Sequence, residues 1–176
     1  TVGLNLGGSQ NVVDLAGNVL PAGEPGTDES FVVDNDAPGL TSFARQTPSG
    51  SPTNVDSLVF RVTFDEDVSG VDAGDFAVTG TTGSISNVAV VSASVYDVTV
   101  SGGDLAGLNG TVGLNLGGSQ NVVDLAGNAL PAGEPGTDES FVVDNDVPGL
   151  TSFVRQTPSG TPTNVDSLLF RVTFDE

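Results

Sequence analysis

The sequence predicts an all-β protein, a seven-stranded immunoglobulin-like β-sandwich repeated in tandem with a 110-residue period. Three observations predict it. Residues 1–66 align with 111–176 without a gap and differ at only five positions: Val19/Ala129, Ala37/Val147, Ala44/Val154, Ser51/Thr161 and Val59/Leu169. Apolar and polar residues alternate with period two, while apolar residues at helical spacing are absent. Twenty-four glycines and ten prolines interrupt the chain every few residues.

A period of 110 residues exceeds that of a solenoid unit, roughly 20–50 residues, and is an ordinary size for a whole domain. The expected organisation is therefore the C-terminal part of one repeat (1–35), a complete repeat (36–145) and the N-terminal part of the next (146–176). Residue 1 falls inside a copy of the period, so nothing about export is read from this end.

Seven strands are expected in the complete repeat, at 40–45, 57–64, 75–79, 84–91, 95–101, 111–116 and 140–144, separated by turn residues. In the second, Leu58, Phe60, Val62 and Phe64 alternate with Val59, Arg61 and Thr63. In the fifth, Tyr96, Val98 and Val100 alternate with Asp97, Thr99 and Ser101. In the sixth, Val112, Leu114 and Leu116 alternate with Gly113 and Asn115. Each set reads as a strand with one buried face. The Cys and Trp hallmarks of antibody domains are missing, so a relative of the immunoglobulin fold is expected.

An odd number of antiparallel strands puts the two ends of a domain at opposite poles, and tandem copies then stack end to end. The joint, Asp34-Asn35-Asp36-Ala37-Pro38, is short. Proline fixes its own φ and holds Ala37 extended. The same joint returns as Asp144-Asn145-Asp146-Val147-Pro148.

Charge narrows the function. Twenty-three acidic residues face four arginines, with no Lys and no His. That sign excludes nucleic acid and anionic membrane surfaces as partners. No Cys is present, so disulfides and zinc thiolates are excluded.

The acids also converge. Strand parity brings the linker (Asp34, Asn35, Asp36), the loop after the second strand (Asp65, Glu66, Asp67, Asp72, Asp75) and the long connection to the seventh strand (Asp124, Asn128, Glu134, Asp138, Glu139) to one pole. Like charges ~4 Å apart repel by about 1 kcal/mol in water and about 4 where partly buried. A hard dication relieves this, and Ca²⁺ takes 6–8 oxygens of the kinds these loops supply. Calcium is therefore the expected cofactor, with Asp34, Asn35, Asp36, Asp65, Glu66, Asp67, Asp72, Asp75, Asp124 and Asn128 as candidate ligands, and Asp144, Asn145 and Asp146 at the next joint. Asp and Asn also form turns by bonding their own backbone, so each candidate has a purely structural reading as well. Asp104, at the opposite pole, is expected to cap a short helical turn, with a part in the next junction as the alternative.

The segments "VTFDEDVSGVDAGDFAVTG", "VYDVTVSGGDLAGLNGTVGL" and "VVDLAGNALPAG", closed by "DNDAP", resemble in their order the bacterial Ig-like repeats of giant cell-surface, biofilm-associated adhesins. The resemblance spans the period. It implies secretion to the bacterial cell surface, a long extracellular stalk made of neighbouring repeats, cell adhesion, and calcium at the domain junctions. It implies Asp36, Asp65, Glu66 and Asp67 as junction ligands, and no catalysis.

The expected function is a non-enzymatic spacer in such a stalk or matrix fibre, whose partners are neighbouring repeats and other copies. Near-identity of the copies favours it, because a spacer needs equivalent units. The alternative is a ligand-binding module, for instance for carbohydrate, but a chain with one Tyr and no Trp lacks the usual exposed aromatic platform. An enzyme is not expected: without His, Cys or Lys a nucleophile–base pair has few players, and the carboxylates show no sugar cleft.

Overall fold

The computed structural model describes residues 1–176. It is built of strands and two 3₁₀ turns, with no helix long and apolar enough to cross a membrane. Near the start, β1 (Val2–Gly3) and β2 (Ser30–Phe31) pair with each other. Then follow β3 (Leu40–Thr47), β4 (Ser57–Phe64), β5 (Val68–Ser69), β6 (Phe76–Thr79), β7 (Ser84–Ser92), β8 (Val95–Ser101) and β9 (Gly110–Leu116). Last come β10 (Val123–Asp124), β11 (Thr137–Asp138), β12 (Phe141–Val143), β13 (Leu150–Thr157) and β14 (Leu169–Phe174). The seven strands expected within 36–145 correspond to β3, β4, β6, β7, β8, β9 and β12.

These seven lie in two sheets. One has the order β11-β3-β4-β8-β7, the other β12-β9-β6. All pairs are antiparallel except β11 with β3, where Thr137 faces Ser42 and Asp138 faces Phe43 in parallel register. The chain entering the last strand thus lies against the first sheet before crossing to the second as β12.

Alternation dictates what fills the space between the sheets. Leu58, Phe60 and Val62 of β4, Val98 and Val100 of β8, Val112 and Leu114 of β9, and Phe141 of β12 are all buried, while the residues between them face outwards. Phe60 meets Phe141 edge to face with ring centroids 4.9 Å apart, and Phe43 meets Phe76 at 6.1 Å. These rings come from opposite sheets, so they join the layers. Burying one such side chain contributes about 1.5–3 kcal/mol. Tyr96 is buried with its hydroxyl donating to the Val68 carbonyl at 3.2 Å.

One glycine is required by a close approach. Gly80, at the end of β6, has φ +79°, and a Cβ there would fall on the Thr111 carbonyl.

The terminal segments repeat local parts of this design. Val2 opposes Phe31 as Val112 opposes Phe141, and β13–β14 reproduce the β3–β4 register, including both irregularities. Their apolar residues are exposed: Phe31 is 78% accessible against 0% for Phe141, and Phe170 is 55% against 0% for Phe60.

Candidate metal centre

Three carboxylates meet where the linker enters the sandwich. Asp34 follows the Phe31-Val32-Val33 run, Glu66 follows the last residues of β4, and Asp124 ends β10. A two-residue ladder brings the last two together: β10 pairs with β5, with Asp124 opposite Val68. Buried Val68, Val122 and Leu130 anchor that ladder on the core. One carboxylate oxygen from each of Asp34, Glu66 and Asp124 lies within 4.8 Å of the other two. Oxygens bound to one Ca²⁺ at 2.3–2.6 Å can be up to about 5 Å apart, so these three could hold a single metal ion.

Their local chemistry differs. Asp124 is 2% accessible, and its carboxylate accepts from the backbone N–H of Ala126 and Asn128, both at 2.8 Å, and from Asn128 Nδ2 at 2.7 Å. Burial opposes its charge, but the hydrogen bonds from Asn128, Gly127 and Ala126 prevail, so its pKa lies below the ordinary value. The earlier copy of this turn, Asp14 to Asn18, makes the same three bonds. Asn128 acts as a tie: the same Nδ2 also donates to the Asp34 carbonyl at 3.3 Å. Glu66 shifts the other way. Partial burial raises its pKa, and the charges of Asp34, Asp124, Asp65 and Asp36 raise it further.

The other candidates are divided by the structure. Asp65 closes the strand pair: its Oδ1 accepts from Gly39 N at 2.6 Å while its N–H donates to the Gly39 carbonyl at 3.0 Å. Asp36 donates its N–H to Asp34 Oδ1 at 3.1 Å, and Asn35 lies exposed between them. Asp67 is exposed, and its charge adds to burial in raising the Tyr96 phenol. Asp72 and Asp75 are not brought into the Asp34–Glu66–Asp124 group. They form a capping box around the 3₁₀ turn Ala73–Asp75, with Asp72 Oδ1 accepting from Gly74 N and Asp75 Oδ2 from Asp72 N. Asp75 Oδ1 also accepts from Asn121 N at 3.1 Å, which pins the long connection to this loop.

No ion pair reaches the carboxylates of Asp34, Glu66 and Asp124. The two arginines of 36–145 are engaged elsewhere: Arg45 with Glu139 at 3.5 Å and Arg61 with Asp97 at 2.9 Å. Two members of the arrangement, Asp144 and Glu176, return one period later, where burial and then Asp144, Asp175 and Asp146 raise the pKa of Glu176.

At the opposite pole the second joint is held by hydrogen bonds that the sequence did not reveal. Asn145 Nδ2 donates to the Leu105 and Leu108 carbonyls at 3.1 and 2.8 Å. Asn109 Oδ1 accepts from Asn145 N at 2.7 Å, and its Nδ2 donates to Asp146 Oδ1 at 2.9 Å. Asp144 Oδ1 accepts from Asp146 N at 3.1 Å.

Asp104 corrects the capping expectation. It sits at the N-cap of the 3₁₀ turn Leu105–Gly107, but its side chain makes no cap bond. It accepts instead from the Thr81 hydroxyl and from Thr82 N at 2.9 Å, and these bonds hold its pKa below the ordinary value. A carboxylate with a depressed folded-state pKa stabilises the fold above its unfolded value, about 3.9, and loses that contribution as pH falls through the folded value. Thr81→Val is therefore expected to lower the denaturation midpoint at neutral pH. The deficit should shrink below about pH 3.9. A deficit unchanged by acid would assign the loss to packing.

No protein-family model matches this chain, nor does any curated protein or solved structure.

Proposed function

We propose that the chain is a non-enzymatic structural piece of a secreted adhesin stalk or matrix fibre at a bacterial cell surface, built of Ig-like domains in tandem and stiffened by calcium at their junctions. The observation that carries this reading is the meeting of Asp34, from the linker, with Glu66, from the loop after β4, and Asp124, at the end of β10. An ion shared by these groups ties linker to domain, which a spacer needs and a soluble surface does not. Two further features support it. The order β3-β4-β8-β7 against β12-β9-β6 is compatible with the constant-type immunoglobulin arrangement of strands. The near-identical copies suit equivalent units in a row.

Small-angle scattering on a chain of four tandem periods tests the reading. In calcium it should give a rod lengthening by roughly 40 Å per domain, as expected for an elongated body of this size. With chelator the rod should become a flexible string at constant mass. A collapsed profile in calcium, or profiles identical with and without it, contradicts the proposal.

A further inference from the structure

Asn109 is followed by Gly110, and nowhere else in the chain does glycine follow asparagine. A backbone nitrogen that belongs to glycine carries no Cβ beside it to hinder its attack on a neighbouring carbonyl. Asn109 is exposed, so water reaches it. Both polar atoms of its side chain are nevertheless committed to the linker: Oδ1 to Asn145 N at 2.7 Å and Nδ2 to Asp146 Oδ1 at 2.9 Å. The fold does not require glycine at 110. Its φ lies outside the left-handed region, and an added Cβ would meet nothing nearer than Leu108 Cδ1 at 3.7 Å.

We propose that Asn109 is a self-modification site, which deamidates when the 144–146 linker leaves it and thereafter keeps that linker from docking again. The Gly110 nitrogen attacks Asn109 Cγ. The new C–N bond closes a cyclic imide, the Cγ–Nδ2 bond breaks, and ammonia leaves with the Gly110 proton. Water then opens the imide to aspartate or isoaspartate. The net change is amide plus water to acid plus ammonia, with no oxidant or reductant.

The docked linker opposes this reaction, because both Asn109 bonds must break before Cγ can swing to the Gly110 nitrogen. The product opposes redocking. Its Nδ2 donor is gone, and a new carboxylate faces Asp146, with Asp144 two residues away. Isoaspartate also lengthens the backbone by one methylene beside Gly110, which pairs with Val143. The joint therefore records each lasting opening as a permanent negative charge. The chemistry stands on the observed contacts alone; only its consequence for a stalk rests on the function proposed above.

The test follows the full 176-residue chain over time in mildly alkaline buffer. Peptide mass mapping reads deamidation, and amide hydrogen exchange reads opening of 144–146. Deamidation should concentrate at Asn109. In Asn145→Ala, which removes the ties to the Leu105 and Leu108 carbonyls, it should run roughly tenfold faster, in step with faster exchange. Gly110→Ala, which the fold accommodates, should suppress it without changing exchange. The deamidated fraction of the unaltered chain, separated by its extra charge, should exchange at 144–146 roughly tenfold faster than the parent, and Asn109→Asp should match it. Deamidation spread evenly over other asparagines, an unchanged Asn109 rate in Asn145→Ala with a released linker, or parent-like exchange in the deamidated fraction would each overturn the proposal. Scattering that fails to give a rod overturns the stalk reading and leaves these readouts untouched.

Discussion

Phe60→Ala is expected to destabilise the sandwich by about 3–5 kcal/mol, the range for a large core aromatic cut to alanine. Phe60 is fully buried and packs edge to face on Phe141 across the two sheets, so its loss opens a cavity in the middle of the interface. A domain of this size has roughly 5–15 kcal/mol in all. Urea denaturation followed by the signal of Tyr96, the chain's one tyrosine, measures the change. The same substitution at Phe170, its exposed counterpart one period later, should cost less than about 0.5 kcal/mol in the same transition. A similar loss at both positions would mean that the segment 146–176 shares that core.

Calcium is expected to raise the melting temperature of the central domain by roughly 10 °C. A site with Kd near ~10⁻⁴ M in ~10 mM calcium gains about 2.7 kcal/mol, and each kcal/mol moves a domain near this size by roughly 4 °C or more. Glu66→Gln supplies the decisive sign. It removes one charge facing Asp34, Asp124, Asp65 and Asp36, so the ion-free variant should melt higher than the parent. It also removes a ligand, so the variant should gain little from calcium. Sodium at matched ionic strength should not reproduce the calcium effect, since screening supplies no directed oxygen contacts. Equal melting temperatures in calcium and chelator would leave the acidic pole as solubilising surface.

The strands were legible because alternation is a local signal. Leu58 to Phe64 and Tyr96 to Val100 state their buried face within a few residues, and the alignment of 1–66 with 111–176 gives the length of the period. The long connection 117–140 was not legible as structure. Its glycines and prolines hide the β10–β5 ladder and the parallel β11, which exist only through partners more than fifty residues away. The acidic pole shows the same division. That acids gather there followed from strand parity, but their separate duties depend on single contacts. Asp72 and Asp75 sit three apart, the spacing of a capping box, yet in the sequence they counted among the candidate ligands. Asp65 turning to Gly39, and Asn145 reaching back to Leu105 and Leu108, join positions 26 to 40 residues apart, which no local pattern encodes.

The parallel contact between β3 and the segment β11–β12 bears on how the molecule would respond to a pull. Besides the β11–β3 pairs, Glu139 N donates to the Phe43 carbonyl, and Thr53 N and Asp144 N donate to the Val142 and Thr53 carbonyls. Arg45 adds a bond to the Ser140 carbonyl. Tension applied between residues 36 and 145 runs along both strands in opposite senses and loads these bonds side by side, in shear. They must then fail together, whereas a hairpin pulled open from its end loses one rung at a time. Resistance to such a pull is set by the height of the unfolding barrier, so this seam, rather than the total stability, governs the force at which the domain gives way.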